Sequence, residues 1–181
     1  NFMQNIIFDN LISFDLHQKA RELHVDCDVP RAVFCIKVTG VGESGIYEVV
    51  RNMYPDKERD FVINVDSNNI VLIKELKEAM KTEELEQIAR QILDTASSEI
   101  MYPLSIGMSN VAPTIDDLNN SYKEAQVAIE VGKVFEDEKN ILSYDNLGIG
   151  RLIYQLPIKL CELFLKEVFK RGSIESLDQE T

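Results

Sequence analysis

With 181 residues and 45% apolar content, the chain suits one domain of ordinary size with a real core and flanking elements. Nineteen basic against 31 acidic residues leave a formal charge of −12, the wrong sign for a surface that neutralises phosphates, so this segment is not itself expected to bind nucleic acid. Cys27, Cys35 and Cys161 are odd in number and form no Cys-x-x-Cys pair, which excludes a disulfide framework or zinc ribbon; no run reaches the roughly 18 apolar residues of a membrane span and no basic leader precedes an apolar stretch, so a cytoplasmic protein without a membrane partner is expected.

In chain order, residues 2–12 are apolar on nearly every side, through Phe2, Met3, Ile6, Ile7, Phe8, Leu11 and Ile12. A helix of that kind demands burial on several faces, and a second copy of the chain is the expected cover. Asp15 with Gln18 resembles a capping box that opens a second helix through Leu16, Ala20 and Leu23 to about His24. His17 and His24 stand about 10 Å apart along such a helix, too far to share an ion with Cys27. They read as ordinary surface residues.

Residues 31–39 form the first core strand by their β-branched and aromatic content. Gly40, Gly42 and Gly45 follow, but their spacing matches neither a dinucleotide fingerprint nor a phosphate loop, so they read as turn chemistry. Ser44 caps a helix whose Ile46, Val49, Val50 and Met53 recur at helical spacing, and Pro55 stops it. Residues 60–73 then present two apolar, β-branched stretches around Asp66-Ser67-Asn68-Asn69, a hairpin signal because Asp and Asn bond their own main chain and tolerate left-handed backbone.

Residues 74–81 are a charged connection, and Thr82 with Glu83, Glu84 and Glu86 starts an acid-rich helix whose Leu85, Ile88, Ala89, Ile92 and Ala96 share one face to about Glu99. The acidic cluster matches the helix dipole and is given no function. Residues 102–108 supply a fourth strand, and Thr114 is a cap in the loop before the next helix. That long helix, over 118–135, carries Leu118, Tyr122, Ala125, Ile129 and Gly132 on one face and Val127, Val131 and Val134 on another. Residues 140–144 form a fifth, edge strand; 147–156 and 157–169 read as helices, and 171–181 as linker. The order βα, hairpin, αβ is a split βαβ arrangement, so the expected fold class is α+β, a ferredoxin-like mixed sheet with flanking helices. The hairpin strands are expected at its centre, with the helices at 44–54 and 82–99 on one face and 118–135 packed nearby.

Three stretches carry a resemblance: SYKEAQVAIEVGKVF at 121–135, NILSYDNLGIGRLIYQLP at 140–157 and SIESLDQET at 173–181. They resemble the central part of CdaR/PucR-type transcriptional regulators, activators of sugar-diacid and purine catabolism. The resemblance implies a helical linker or dimerisation segment over 1–29, a degenerate GGDEF-like domain over 30–146, and a helical connection over 147–181 toward a helix-turn-helix not present in this chain. It further implies a homodimer whose DNA contacts come through that missing domain, and an inducer sensed outside the segment.

Set against the active diguanylate cyclases, with Asp60 matched to the acidic residue that opens the hairpin strand, Asp66-Ser67-Asn68-Asn69-Ile70 stand where Gly-Gly-Asp-Glu-Phe would be. The glycines that let backbone approach a nucleotide are gone. The acidic pair becomes Asn68 and Asn69, poor ligands for magnesium, and no acidic residue occurs from Arg31 to Gly42, Glu43 arriving only in the loop. No catalytic residue, cofactor or metal is therefore expected. A regulatory, self-associating module is preferred. A pseudo-enzyme that binds a nucleotide or metabolite is the alternative, and a cyclase using Asp66 and Glu43 a third reading.

Overall fold

The computed structural model describes residues 1–40, 42–135, 138–148 and 150–157, with the short pieces 159–160, 162–163 and 166–168. The linker expected at 171–181 and part of the helix expected at 157–169 lie outside these residues. The chain divides into two compact units, Asn1–Leu147 and Gly148–Thr181. The larger holds α1 (Phe2–Ile7), α2 (Ser13–Glu22), β1 (Arg31–Val38), α3 (Ile46–Met53), β2 (Phe61–Asn64), β3 (Asn69–Glu75), α4 (Thr82–Glu99), β4 (Leu104–Met108), α5 (Leu118–Phe135) and β5 (Ile141–Ser143). The smaller contains α6 (Gly150–Gln155), shorter than the helix expected over 147–156 because Asp145–Leu147 forms a separate 3₁₀ turn.

The fold is α+β, with one mixed sheet in the order β2-β3-β1-β4-β5. β1 pairs antiparallel with β3 and with β4, β2 pairs antiparallel with β3, and β5 joins β4 in parallel. Thus β1-α3-β2 and β3-α4-β4 are two parallel units, each split by a strand of the other. This is the expected split βαβ plan with one correction: the hairpin is not central. β2 is an edge strand, and β1 takes the centre, buried on both faces along its whole length except at Lys37.

Alternation along β1 divides the core into two layers. Ala32, Phe34, Ile36 and Val38 pack with Ile46, Val49 and Val50 of α3 and Leu85, Ala89, Ile92 and Ala96 of α4. Val33 and Cys35 face the opposite layer with Met3, Ile6 and Ile7 of α1, Leu16 and Ala20 of α2, and Leu118, Tyr122, Ala125 and Ile129 of α5. The apolar N-terminal stretch is therefore a core helix, not an exposed one. It also ends early: Asp9 adopts a left-handed φ of 58°, the backbone turns, and Ile12 is left 76% exposed. The second valine face expected on α5 is divided, Val131 being buried and Val134 exposed.

The caps differ in detail from expectation. α2 begins at Ser13 with Ile12 as its N-cap and no side-chain bond, so Asp15 lies in the first turn as a dipole-matched acid and Gln18 bonds Glu22 instead. Gly45, at φ 73°, caps α3, while Ser44 Oγ accepts from Ile46 N at 3.4 Å. Lys81 caps α4, with Glu84 Oε2 accepting from its backbone N at 2.8 Å.

Buried charge closes the end of the sheet away from the hairpin turn. The Arg31 side chain is 1% exposed; its Nη2 donates to the Asp26 carbonyl at 2.7 Å and lies 4.0 Å from Glu75, tying the segment before β1 to the sheet. Burial lowers its pKa, yet a guanidinium stays charged; the Nη2 contacts offset only part of its desolvation, because Nε and Nη1 are buried without a hydrogen-bond partner. Asp60 is likewise buried, held by Lys74 Nζ at 3.0 and 3.1 Å and by Glu75 N at 3.1 Å.

The tightest packing lies between β4 and α5. A Cβ on Gly107 would stand 2.3 Å from the Ala125 carbonyl oxygen and 2.5 Å from Ile129 Cγ1, so the helix approaches the strand only because that position lacks a side chain. Gly107→Ala is expected to cost about 1–3 kcal/mol through overpacking, read as a lower urea midpoint at unchanged slope. An unaltered midpoint would mean that α5 moves off the sheet without penalty.

Candidate functional site

The hairpin turn is built by its own side chains. Val65 N and Asp66 N both donate to the Asn69 carbonyl, at 3.0 and 3.1 Å. Asp66 Oδ1 accepts from Asn68 N, Asn69 N and Asn69 Nδ2, each at 2.9 Å, while Oδ2 accepts from Asn69 Nδ2 at 2.7 Å. These bonds, the Asn68 amide first, hold the carboxyl below its ordinary range, helped by the charge of Lys37. Asp66 is thus the centre of an Asx turn, and Asn69 is the first residue of β3 as well as part of that turn.

Two further contacts tie the turn to the glycine loop. Ser44 Oγ donates to the Ser67 carbonyl at 3.1 Å. The Asn68 carboxamide lies against the carbonyls of Gly40 and Gly42: its nitrogen is 3.3 Å from the first, or 3.1 Å from the second with the amide turned over. Asn68 O also accepts from Val38 N at 2.8 Å, extending the β1–β3 ladder. Asn68 and Asn69 are therefore turn and ladder residues.

The register shows what lies opposite them. Lys37 of β1 is the direct cross-strand partner of Asn69, and paired residues share a face at the closest inter-strand spacing. Lys37 and Asn69 thus lie side by side at the hairpin end of the two strands. Lys37 escaped notice in the sequence because its importance depends on register; the signal was a lone cation inside the otherwise apolar RAVFCIKV run.

Clefts open on both sides of the turn. On the α3 side, a cavity of about 390 Å³ is lined by Glu43, Glu48, Asn64, Val65, Asp66 and Ser67, together with residues at the start of α3. Its three carboxylates repel an anionic ligand. On the α5 side, a cavity of about 260 Å³ reaches from Asp66 and Asn69 down to Cys35, Val71 and Ile129. Among the described residues, no group of three or more His, Cys, Asp or Glu side chains is arranged to hold a metal ion.

The remaining candidates are scattered. His17 Nε2 lies 2.8 Å from Asp116 Oδ2, His24 sits past the end of α2 at φ 57°, and Cys27 is a partly buried free thiol. Glu86 accepts from Asn146 Nδ2 at 3.2 Å, and Asp60 is the buried partner of Lys74 at the opposite end of the strands from the turn.

Residues 10–131 match the family described as GGDEF-like domain. The chain belongs to the GGDEF-like domain family. No curated protein matches it. The matched span runs from the end of the α1 turn through most of α5, so it contains the hairpin, the glycine loop and both clefts. Among the described residues, no helix is long and apolar enough to cross a membrane.

The bonds at Asp66 give a test of the turn. Asp66→Ala is expected to cost about 0.5–1 kcal/mol, the low end for a hydrogen-bonded charge because the carboxylate is exposed. Its folded pKa lies below the ordinary 3.8, so this stabilisation is complete above that range and disappears as pH falls through the folded value. Urea midpoints of the protein and the variant should accordingly differ at pH 7 and converge in acid. A pH-independent difference would assign the loss to the backbone alone.

Proposed function

We propose that this GGDEF-like domain is a non-catalytic regulatory and self-association module of a CdaR/PucR-type DNA-binding transcriptional regulator of sugar-diacid or related catabolism. It acts in the cytoplasm as a homodimer and reaches DNA only through a helix-turn-helix outside this chain. The regulator assignment is supported by the resemblance at 121–135, 140–157 and 173–181. The absence of catalysis is supported by one observation above all: Lys37 faces Asn69, so the place for a divalent cation carries a fixed positive charge and neutral amides.

A cyclase working through Asp66 and Glu43 is the weaker reading. Both line the α3-side cleft, but Asp66 already accepts four hydrogen bonds within its turn. A nucleotide held in the same cleft meets three carboxylates without a cation to offset them. Incubation with GTP and magnesium or manganese is expected to yield no cyclic dinucleotide. Product formation abolished by Lys37→Met or Asp66→Ala would overturn the reading.

Self-association needs a surface other than α1, whose Met3, Ile6 and Ile7 are buried. Ile12 and Phe14, 76% and 79% exposed at the start of α2, are the apolar residues that contact with a second copy would cover. The chain should sediment as a dimer at micromolar concentration, and Ile12→Asp with Phe14→Asp should give a folded monomer. A monomeric parent protein would remove self-association from the proposal.

A further inference from the structure

The cavity between the hairpin turn and α5 is distinct from the acidic cleft on the α3 side of the turn. Its lining is ordered by chemistry. Cys35 and Val71, direct partners across β1 and β3, form the floor with Ile129; burial pushes the Cys35 thiol up, so it stays neutral and adds to the apolar surface. Around the mouth stand Lys37, Asp66, Asn69, Tyr122, Gln126 and Glu130.

Acceptors outnumber donors there. Asn69 and Gln126 spend an N–H each, on Asp66 and on the Tyr122 hydroxyl, so both keep a carbonyl oxygen for an incoming donor. Asp66 and Glu130 add carboxylates. The Tyr122 phenol, pushed up to about 12 by burial, remains a donor at neutral pH. Lys37 supplies the cation, and among the described residues no carboxylate lies within salt-bridge distance of it; Asp66 acts on it only from farther away.

One cation, several acceptors and an apolar floor in about 260 Å³ describe a small zwitterion with an apolar tail. We propose that this cavity binds a free α-amino acid with an aliphatic or thioether side chain, its carboxylate on Lys37, its ammonium among the oxygens of Asn69, Gln126 and Glu130, and its side chain against Cys35, Val71 and Ile129. A dicarboxylate is disfavoured, since among the described residues Lys37 is the one cation lining the cavity and a second anionic group would lie near the carboxylates of Asp66 and Glu130. The proposal uses the same Lys37–Asn69 pair that argues against a divalent cation at the turn, but none of its contacts lies in the α3-side cleft.

Calorimetric titration of the 181-residue chain with L-leucine and L-methionine tests it. Saturable one-to-one binding is expected, with 4-methylpentanoate, which lacks the ammonium, and 3-methylbutylamine, which lacks the carboxylate, each weaker by roughly tenfold or more. Lys37→Met, at an exposed position, should weaken L-leucine by a similar factor while leaving the far-ultraviolet spectrum unchanged, and Gln126→Trp should block the cavity. Absence of binding by both amino acids at millimolar concentration would overturn the proposal. So would equal affinity in both variants, or tighter binding of a four- to six-carbon dicarboxylate than of L-leucine.

Discussion

The structure depends on β1 being enclosed on all four sides. It is paired along one edge with β3 from Arg31 to Lys37, along the other with β4 from Phe34 to Val38, and covered on both faces by helices. Slipping such a strand by one residue would move every side chain to the wrong layer, exchanging Phe34 and Ile36 for Val33 and Cys35. The register is therefore strongly specified, and with it the pairing that places Lys37 beside Asn69. The exposure of Lys37 has the same origin. Near the end of β1 the cover supplied by α5 runs out, and the cavity opens where it does.

The hairpin turn shows how one carboxylate can serve geometry in place of chemistry. An exposed Asp in a turn gains little from a single hydrogen bond, but Asp66 collects two backbone amides and a carboxamide. The bound groups are the ones that a tight reversal leaves without ladder partners. The cost is availability, since lone pairs directed at the turn are not directed at an ion. The Asp66 carboxylate closes the loop on itself through bonds that a glycine at that position could not make.

Much of this was legible from periodicity. The apolar stripes on α3 and α4 identified helices that pack on one side of a sheet, and the Asp-Ser-Asn-Asn cluster marked the reversal between two strands, because both signals arise from local spacing and local hydrogen bonding. What was hidden depends on neighbours distant in sequence. The content of residues 61–64 does not reveal that β2 is an edge strand, since its order in the sheet is set by where α3 returns the chain. The apolar run at 2–12 was a correct sign of burial but named the wrong partner: α5 and the sheet cover α1, and the turn at Asp9 sends only Ile12 outward. Lys37 and Gly107 were both visible as residues, yet one acquires its meaning from the strand beside it and the other from the helix above it.

The two clefts share a wall but differ in character because strand alternation separates their linings. On the α3 side, the loop after β1 brings Glu43 and the first turn of α3 brings Glu48, which suits the helix dipole but leaves the cleft anionic. On the α5 side, alternation presents Cys35 and Lys37 along β1, while helical spacing presents Tyr122, Gln126, Ile129 and Glu130 along α5. Asp66 borders both cavities with its carboxylate bonded internally. It therefore acts as a fixed partition, and the Ser44–Ser67 bond anchors that partition to the glycine loop. With the hairpin closed on itself, the two cavities beside it have opposite chemical preferences. Of these two, the α5-side cavity alone combines an accessible cation with an apolar floor.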